Sequence, residues 1–370
     1  MSVMSNHGEL GLLVLNNCTE LGKMVNDHIS QMREDEDNKS YLIPVDTIRF
    51  SNGEGKVKLE DSVRGKDIYI LTDVGNYSQT YTMFGHEHHM SPDEHFQDLK
   101  RTLSAIGGKA NRIAVIMPLL YASRQHKRKG RESLDCAMAL NDLQSMGVQT
   151  IISFDVHDPT IHNAIPNTSF ENIFPTYTML KKMIQTEGYD AIKQNLTVIS
   201  PDTGAMDRAV YYANVLGVDV GMFYKRRDHM KVVNGKNPII QHEYIGGELS
   251  GKNVLIVDDM IASGESICDI IQDISKRDVK DIYVATTFAL FTEGVARFNS
   301  LYNEGLLKKL YSTNLSYIPQ EVKDAPWFEE VDLSKYIAKI INTLSNDHSI
   351  SPLLDATTRI RNFLHNIGKE

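Results

Sequence analysis

Asp258 and Asp259 close the apolar run Asn253 to Val257, and Ala262, Ser263, Gly264, Glu265 and Ser266 separate them from the helical pattern ICDIIQDISK. Two carboxylates one step away would repel a phosphate. They suit hydrogen bonds from sugar hydroxyls, or a divalent cation. The turn behind them has the opposite preference, because its backbone N–H groups, serine hydroxyls and helix N-terminus can cradle a phosphate. A phosphorylated sugar would satisfy both halves. Taken by itself, the stretch is equally well an ordinary strand-to-helix crossing with a solvated acidic pair.

Three further apolar runs also end in charge. Asp155, His157 and Asp158 follow TIISF, Asp202 and Gly204 follow TVIS, and Lys225, Arg226 and Arg227 end DVGMFYKRR. A lone histidine at a strand end is more often a core or surface residue than a ligand, but beside two carboxylates His157 becomes a candidate for a Mg²⁺ or nucleotide site. The polar stretch 228–244, interrupted by Gly235 and Pro238, has the composition of a flap over a site. Arg124, Lys127, Arg128, Lys129 and Arg131 form a basic run after RIAVIMPLLY. In a chain with 39 Lys and Arg against 48 Asp and Glu, polyphosphate recognition is a better use for that run than a solvated face. Acidic and cationic ends over one parallel sheet are hard to explain by packing alone, since charges are seldom buried without a partner.

The elements that must position these residues alternate. GLLVL, DIYILTD, RIAVIMPLLY, TIISFDV, TVIS, DVGMFYKRR, NVLIV and DIYVATTFALF read as strands too short and apolar for helices, with helical patterns between them. GVARFNSLYNEGLLKKLYSTN and DLSKYIAKIINTLS read as helices, REDEDNKS as a charged turn, and SPDEHFQDLKRTLSAIG as a helix capped by Ser91, with Pro92 in its first turn and Glu94 completing a capping box. IRFSNGE, from Ile48 to Glu54, reads on spacing alone as a polar hairpin tip. His86, His88, His89 and His95 lack the spacing of a metal motif and read as a solvated insertion. GGELSGKN imitates a phosphate-binding loop, but Asn253 lacks the needed hydroxyl and the stretch precedes its strand instead of following one.

A chain of 370 residues suits two domains, and its net charge of −9 argues against nucleic acid or an anionic membrane as partner. Cys18, Cys136 and Cys268 are far apart, which suits a reducing compartment. With no stretch of transmembrane length and no leader pattern, the expectation is a cytoplasmic protein.

The stretch around Asp258 resembles the phosphoribosyl pyrophosphate loop of type I phosphoribosyltransferases. Together with FSNGE, RQ, DVH, SPDTG, KRR and VDDM in this order, it resembles the ribose-phosphate diphosphokinase family over about residues 10–340. Ala262 stands where that family has an acidic residue, Glu265 and Ala205 where it has Gly, and His126 where it has Asp, in a run one residue shorter.

The resemblance implies an α/β fold of two phosphoribosyltransferase-like domains, each a mostly parallel sheet flanked by helices. These would span residues 1–172 and 173–330, with the active site between them and a closing helix at about 331–345 packed on the first; the extension 346–370 has no counterpart in the family, and its amphipathic pattern suggests a docked helix. It implies transfer of the diphosphoryl group of Mg-ATP to the C1 hydroxyl of ribose 5-phosphate, with Mg²⁺ as cofactor and a homo-oligomer, by analogy a hexamer. Lys225 and Arg227 would be catalytic. Phe50, Asn52, Glu54, Arg124 and Gln125 would hold ATP, the first three its adenine, often across a subunit boundary. Asp258 and Asp259 would orient the ribose, residues 262 to 266 would take its 5-phosphate, and His157 and Asp202 would stand near metal. A plain phosphoribosyltransferase or a non-catalytic regulatory homologue are the alternatives.

Overall fold

The computed structural model describes residues 7–33, 39–128, 130–193, 195–227 and 239–367. Most of the charged turn (34–38), Lys129 of the basic run and most of the flap (228–238) lie outside the described residues. The chain divides into two compact units. The first comprises the residues up to Phe174 with Asn314–Tyr317 and Asp332–Asp355; the second comprises Pro175–Thr313, Ile318–Val331 and the residues from Ala356 onward.

Among the described residues of the first unit there are ten strands: β1 (Leu10–Val14), β2 (Leu42–Ile43), β3 (Val45–Arg49), β4 (Gly55–Leu59), β5 (Asp67–Leu71), β6 (Thr80–Met83), β7 (His86–His89), β8 (Arg112–Ile116), β9 (Thr150–Phe154) and β10 (Ser169–Ile173). Six form a sheet in the order β10-β9-β8-β5-β1-β2 with every pairing parallel. Such a sheet is covered on both faces, which is why β5 reads DIYIL and is buried throughout. β3 with β4 and β6 with β7 are separate antiparallel hairpins. The helix Pro92–Ile106 begins with the expected capping box: Ser91 Oγ accepts from Glu94 N–H while Glu94 accepts from Ser91 N–H, and Gly107 ends the helix in the left-handed region.

Long-range polar contacts hold the returning segments of this unit. The buried Asp73 carboxylate accepts from the Ser316 hydroxyl at 2.9 Å and the Tyr317 N–H at 2.9 Å, and burial pushes it up to about 6 against those bonds. Arg112 Nε donates to Asp67 Oδ1 at 2.8 Å and its Nη2 to the Leu344 carbonyl at 2.9 Å, joining β8 to the helix Ser334–Ser345.

Among its described residues the second unit has seven strands: β11 (Leu196–Ser200), β12 (Asp219–Arg227), β13 (Ile239–Ile245), β14 (Asn253–Ile261), β15 (Ile282–Ala289), β16 (Lys309–Thr313) and β17 (Phe328–Val331). They run β13-β12-β11-β14-β15-β16-β17, antiparallel only between β12 and β13.

Two expectations are corrected here. The strand expected to stop at Val257 runs through both carboxylates to Ile261, because Asp258, Met260 and Ile261 still pair with β15. The single helix expected over GVARFNSLYNEGLLKKLYSTN is a helix only at Ala296–Asn303; Gly305 turns the chain at φ +72° and KLYST becomes β16, buried between β15 and β17. The C-terminal helix Thr357–Ile367 docks within its own unit, burying Ile360 and Leu364 and setting Arg359 over the Tyr177 ring at 4.1 Å. Among the described residues no helix is long and apolar enough to cross a membrane.

Asp67 is fully buried, so Arg112→Ala would leave a carboxylate without its cation. The expected loss is about 3 kcal/mol, seen as a lower urea midpoint and faster amide exchange in Ser334–Ser345.

Candidate active site

In the second unit, β12, β11 and β14 are parallel neighbours, so Arg227, Ser200 and Ile261 end them at one edge of the sheet. Beyond β14, Gly264 takes φ +82° and caps the helix Glu265–Ser275. A Cβ on Gly264 would lie 2.5 Å from the Phe298 ring, so both conformation and space demand glycine. The first-turn amides of that helix follow at once, with Ser263 and Ser266 flanking them. Glu265 N–H reaches Ser263 Oγ only at 3.4 Å, and Cys268 N–H is the amide bonded back to Gly264 O. This is the geometry of an anion cradle.

Asp258 and Asp259 precede the cradle, the second buried and the first partly exposed. Asp259 N–H donates to Asp258 Oδ1 at 2.9 Å. Burial, then the neighbouring Asp259 charge, push Asp258 well above the usual carboxylate range; Arg208 pulls it down, while Asp202 adds to the rise. Asp202 folds over its own turn, with Oδ1 accepting from Gly204 N–H at 2.8 Å and Ala205 N–H at 3.3 Å. Three carboxylates and one guanidinium therefore share this edge of the sheet. Arg208 was not singled out in the sequence; its one legible sign is its place in the first turns of the helix Met206–Leu216, right after the SPDTG turn. Lys225 and Arg227 lie in β12, opposite His242 and Ile239, with a register shift between Arg226 and Arg227. Their side chains lie outside the described residues.

In the first unit, β9 ends at Phe154 and is followed by Asp155, which is buried and held at φ +44° with its N–H on the Ile173 carbonyl. That bend turns His157 outward to an exposed position. Asp158 Oδ1 accepts from Thr160 N–H at 3.0 Å, and Oδ2 lies 3.0 Å from His126 Nε2. The Thr160 hydroxyl and N–H, with His126 and Lys127, hold the Asp158 carboxyl below its ordinary value despite burial. The His126 and His157 rings meet edge to face at 5.5 Å. His126, where the sequence departs from the commoner pattern, is thus what joins the basic run to DVHD. Arg124 and Gln125, in the 3-10 turn before it, are exposed.

FSNGE is the tip of the β3–β4 hairpin. Phe50 N–H donates to Glu54 O and Gly53 N–H to Phe50 O, both at 2.8 Å, while Asn52 Nδ2 meets Glu54 Oε2 at 3.0 Å and Phe50 stays 49% exposed. The histidine-rich segment is a hairpin, not a loose insertion, and His95 departs furthest from the expectation. It is 2% exposed, with Nε2 at 2.7 Å from Asn76 O, and burial lowers its affinity for a proton. Its place one residue after Glu94, on the inner face of the capped helix, accounts for this. Among the described residues no three His, Cys, Asp or Glu side chains gather as a metal cage.

Residues 177–297 match the family of the phosphoribosyl transferase domain, and residues 10–147 match the N-terminal domain of ribose phosphate pyrophosphokinase. Ribose-phosphate pyrophosphokinase from Mycoplasma pneumoniae is 28% identical over 82% of this chain and 85% of its own length. The protein of that name from Vibrio parahaemolyticus is 27% identical over 83% and 90%, and that from Ralstonia nicotianae 30% identical over 67% and 71%. The crystal structure of phosphoribosylpyrophosphate synthetase from Mycobacterium smegmatis shares the fold, with a TM-score of 0.75 at 22% identity over 92% of this chain and 99% of that one. Both units are of the phosphoribosyltransferase type in fold, a parallel sheet flanked by helices. The chain belongs to the ribose-phosphate pyrophosphokinase family.

A carboxyl whose pKa is raised in the fold favours folding fully below its unfolded value and loses that contribution as pH rises through the folded value. Asp258→Asn does not titrate, so its thermal midpoint should exceed the parent's by a margin that grows from about pH 4 to pH 8, reaching the equivalent of about 1 kcal/mol. A margin that shrinks over this range would mean that Asp258 is stabilised as the anion.

Proposed function

We propose that this protein is a ribose-phosphate diphosphokinase, transferring the diphosphoryl group of ATP to the C1 hydroxyl of ribose 5-phosphate to give phosphoribosyl pyrophosphate and AMP. The observation that carries this reading is one end of the second sheet, where the Asp258–Asp259 pair of β14, the glycine-forced cradle at 262–266 that follows it and the cationic end of β12 lie on either side of β11.

The C1 hydroxyl oxygen attacks the β-phosphorus, and the bond from that phosphorus to the α–β bridging oxygen breaks. AMP leaves with the bridging oxygen, and the hydroxyl proton passes to solvent. Little covalent chemistry is asked of the protein, so positioning and charge stabilisation dominate. The cradle amides and the hydroxyls of Ser263 and Ser266 take the 5-phosphate. Asp258 and Asp259 accept from the ribose 2- and 3-hydroxyls, and those donated hydrogen bonds favour the ionised pair that burial and mutual repulsion disfavour. Lys225 and Arg227 offset charge on the transferring group. Phe50, Asn52 and Glu54 hold the adenine, and Arg124 and Gln125 the phosphates.

Mg²⁺ suits a set of oxygen donors and needs only one or two protein ligands when it arrives with substrate phosphates. Asp202, whose Oδ1 is engaged with its own turn, and the exposed His157 would stand near it. When bound, Mg²⁺ would neutralise phosphate charge. A homo-oligomer working in the cytoplasm completes the proposal.

The test is product formation from ATP, ribose 5-phosphate and Mg²⁺, with AMP and ADP followed separately. AMP that forms only with ribose 5-phosphate present is expected; ADP, or no turnover, would overturn the reading. Lys225→Ala should lower kcat about 10²–10³-fold with smaller effects on substrate KM, and near-native turnover would remove Lys225 from the mechanism.

A further inference from the structure

The β6–β7 hairpin turns through two residues, Phe84 and Gly85, at φ +48° and +83°. Tight turns of this kind favour Asn-Gly because both positions need the left-handed region, and a bulky aromatic there is strained. Phe84 is also 74% exposed. The chain thus accepts backbone strain and an exposed ring at one position, a combination that points to a use for the ring.

That position adjoins the FSNGE turn. Phe84 N–H donates to Ser51 O at 2.8 Å, and Met83 Sδ lies 2.8 Å from where a side chain on Gly53 would start. Gly53 holds φ +91°, so the second hairpin presses on the residue that gives the first its bend. The second hairpin is itself anchored: Tyr81 OH donates to Glu94 at 2.6 Å, His88 Nε2 meets Glu94 at 3.0 Å, and Arg49 lies over the Tyr81 ring at 5.6 Å while paired with Asp98. Both tips therefore stand on the helix Pro92–Ile106 with an exposed phenylalanine each, Phe50 and Phe84.

We propose that the β6–β7 hairpin forms part of the nucleotide-base site, its Phe84 main chain clamping the 50–54 turn and its Phe84 ring offering the purine a second aromatic surface beside Phe50. This rests on the reading of FSNGE as the adenine site. A purine fits the chemistry of the pair of tips: it is flat, it stacks on aromatic rings with tolerance of geometry, and its polar edge needs partners such as Asn52 and Glu54.

The experiment measures ATP affinity by equilibrium dialysis on the full chain, together with KM for each substrate and sedimentation velocity. Phe84→Ala and Phe84→Asn should each weaken ATP binding about tenfold, with kcat and KM for ribose 5-phosphate changed less than twofold, and Phe84→Trp should restore affinity. Asn is at ease in the left-handed region, so loss of affinity in Phe84→Asn cannot come from a collapsed turn. Unchanged ATP affinity in both variants, with Phe50→Ala still weakening it, overturns the role of Phe84 and leaves the base site standing. A changed sedimentation coefficient in Phe84→Ala would assign the ring to a contact with another copy and also overturns the inference. If ATP does not bind the parent chain at all, the reading of FSNGE itself fails.

Discussion

Everything at the second unit's site depends on one electrostatic constraint: β14 carries two adjacent carboxylates while still hydrogen-bonded inside a parallel sheet. Burial and mutual repulsion disfavour a fully ionised pair, and one guanidinium, Arg208, offsets part of that. The rest of the edge is consistent with the need to keep these charges close to a ligand. β14 hands the chain to a turn that only glycine at 264 can make, and the helix behind it supplies donors where the carboxylates supply acceptors. A sugar with hydroxyls at one end and phosphate at the other meets both demands. In its absence the pair is a cost to folding, as expected of a site selected for binding over stability.

The first unit solves a different problem. Its sheet is wholly parallel and its central strands are mostly apolar, so much of the polar chemistry is pushed out to strand ends and hairpin tips. There it is held by short-range devices: the Glu54–Asn52 turn, the Asp158 cap on Thr160, and the Ser91–Glu94 capping box. Glu94 serves three partners at once. Burial alone would raise it, yet Ser91, Tyr81 and His88 hold it at about 2, so it stays ionised and fixes the root of the β6–β7 hairpin.

Much of this was legible in the sequence because the physics is local. Short apolar runs gave strands, with β12 falling on DVGMFYKRR from end to end, and Ser91, Pro92 and Glu94 announced their helix. Where the reading failed, the cause was tertiary. LLKKLYST has no period that separates a buried strand from a helix, and becomes β16 because strands on both sides pair with it. His95 looked like one of four solvated histidines until its helix faced the core, and Arg208 carried no motif of its own. Nor could spacing alone show that Asp73 would meet Ser316, or that the Phe84 N–H would reach the Ser51 carbonyl.

The distribution of the first unit along the chain sets the order of its maturation. A ribosome releases Asp73 and Arg112 long before it makes Ser316, Tyr317 and Leu344, which complete their hydrogen bonds. Between those moments the nascent first unit holds a buried-site carboxylate without its donors and a sheet without its helix Ser334–Ser345. The second unit's central strands, by contrast, emerge as an almost uninterrupted block. Vectorial synthesis usually lets an N-terminal domain fold first; here the first unit can be completed only once Asp332–Asp355 has followed the second unit's strands out of the ribosome.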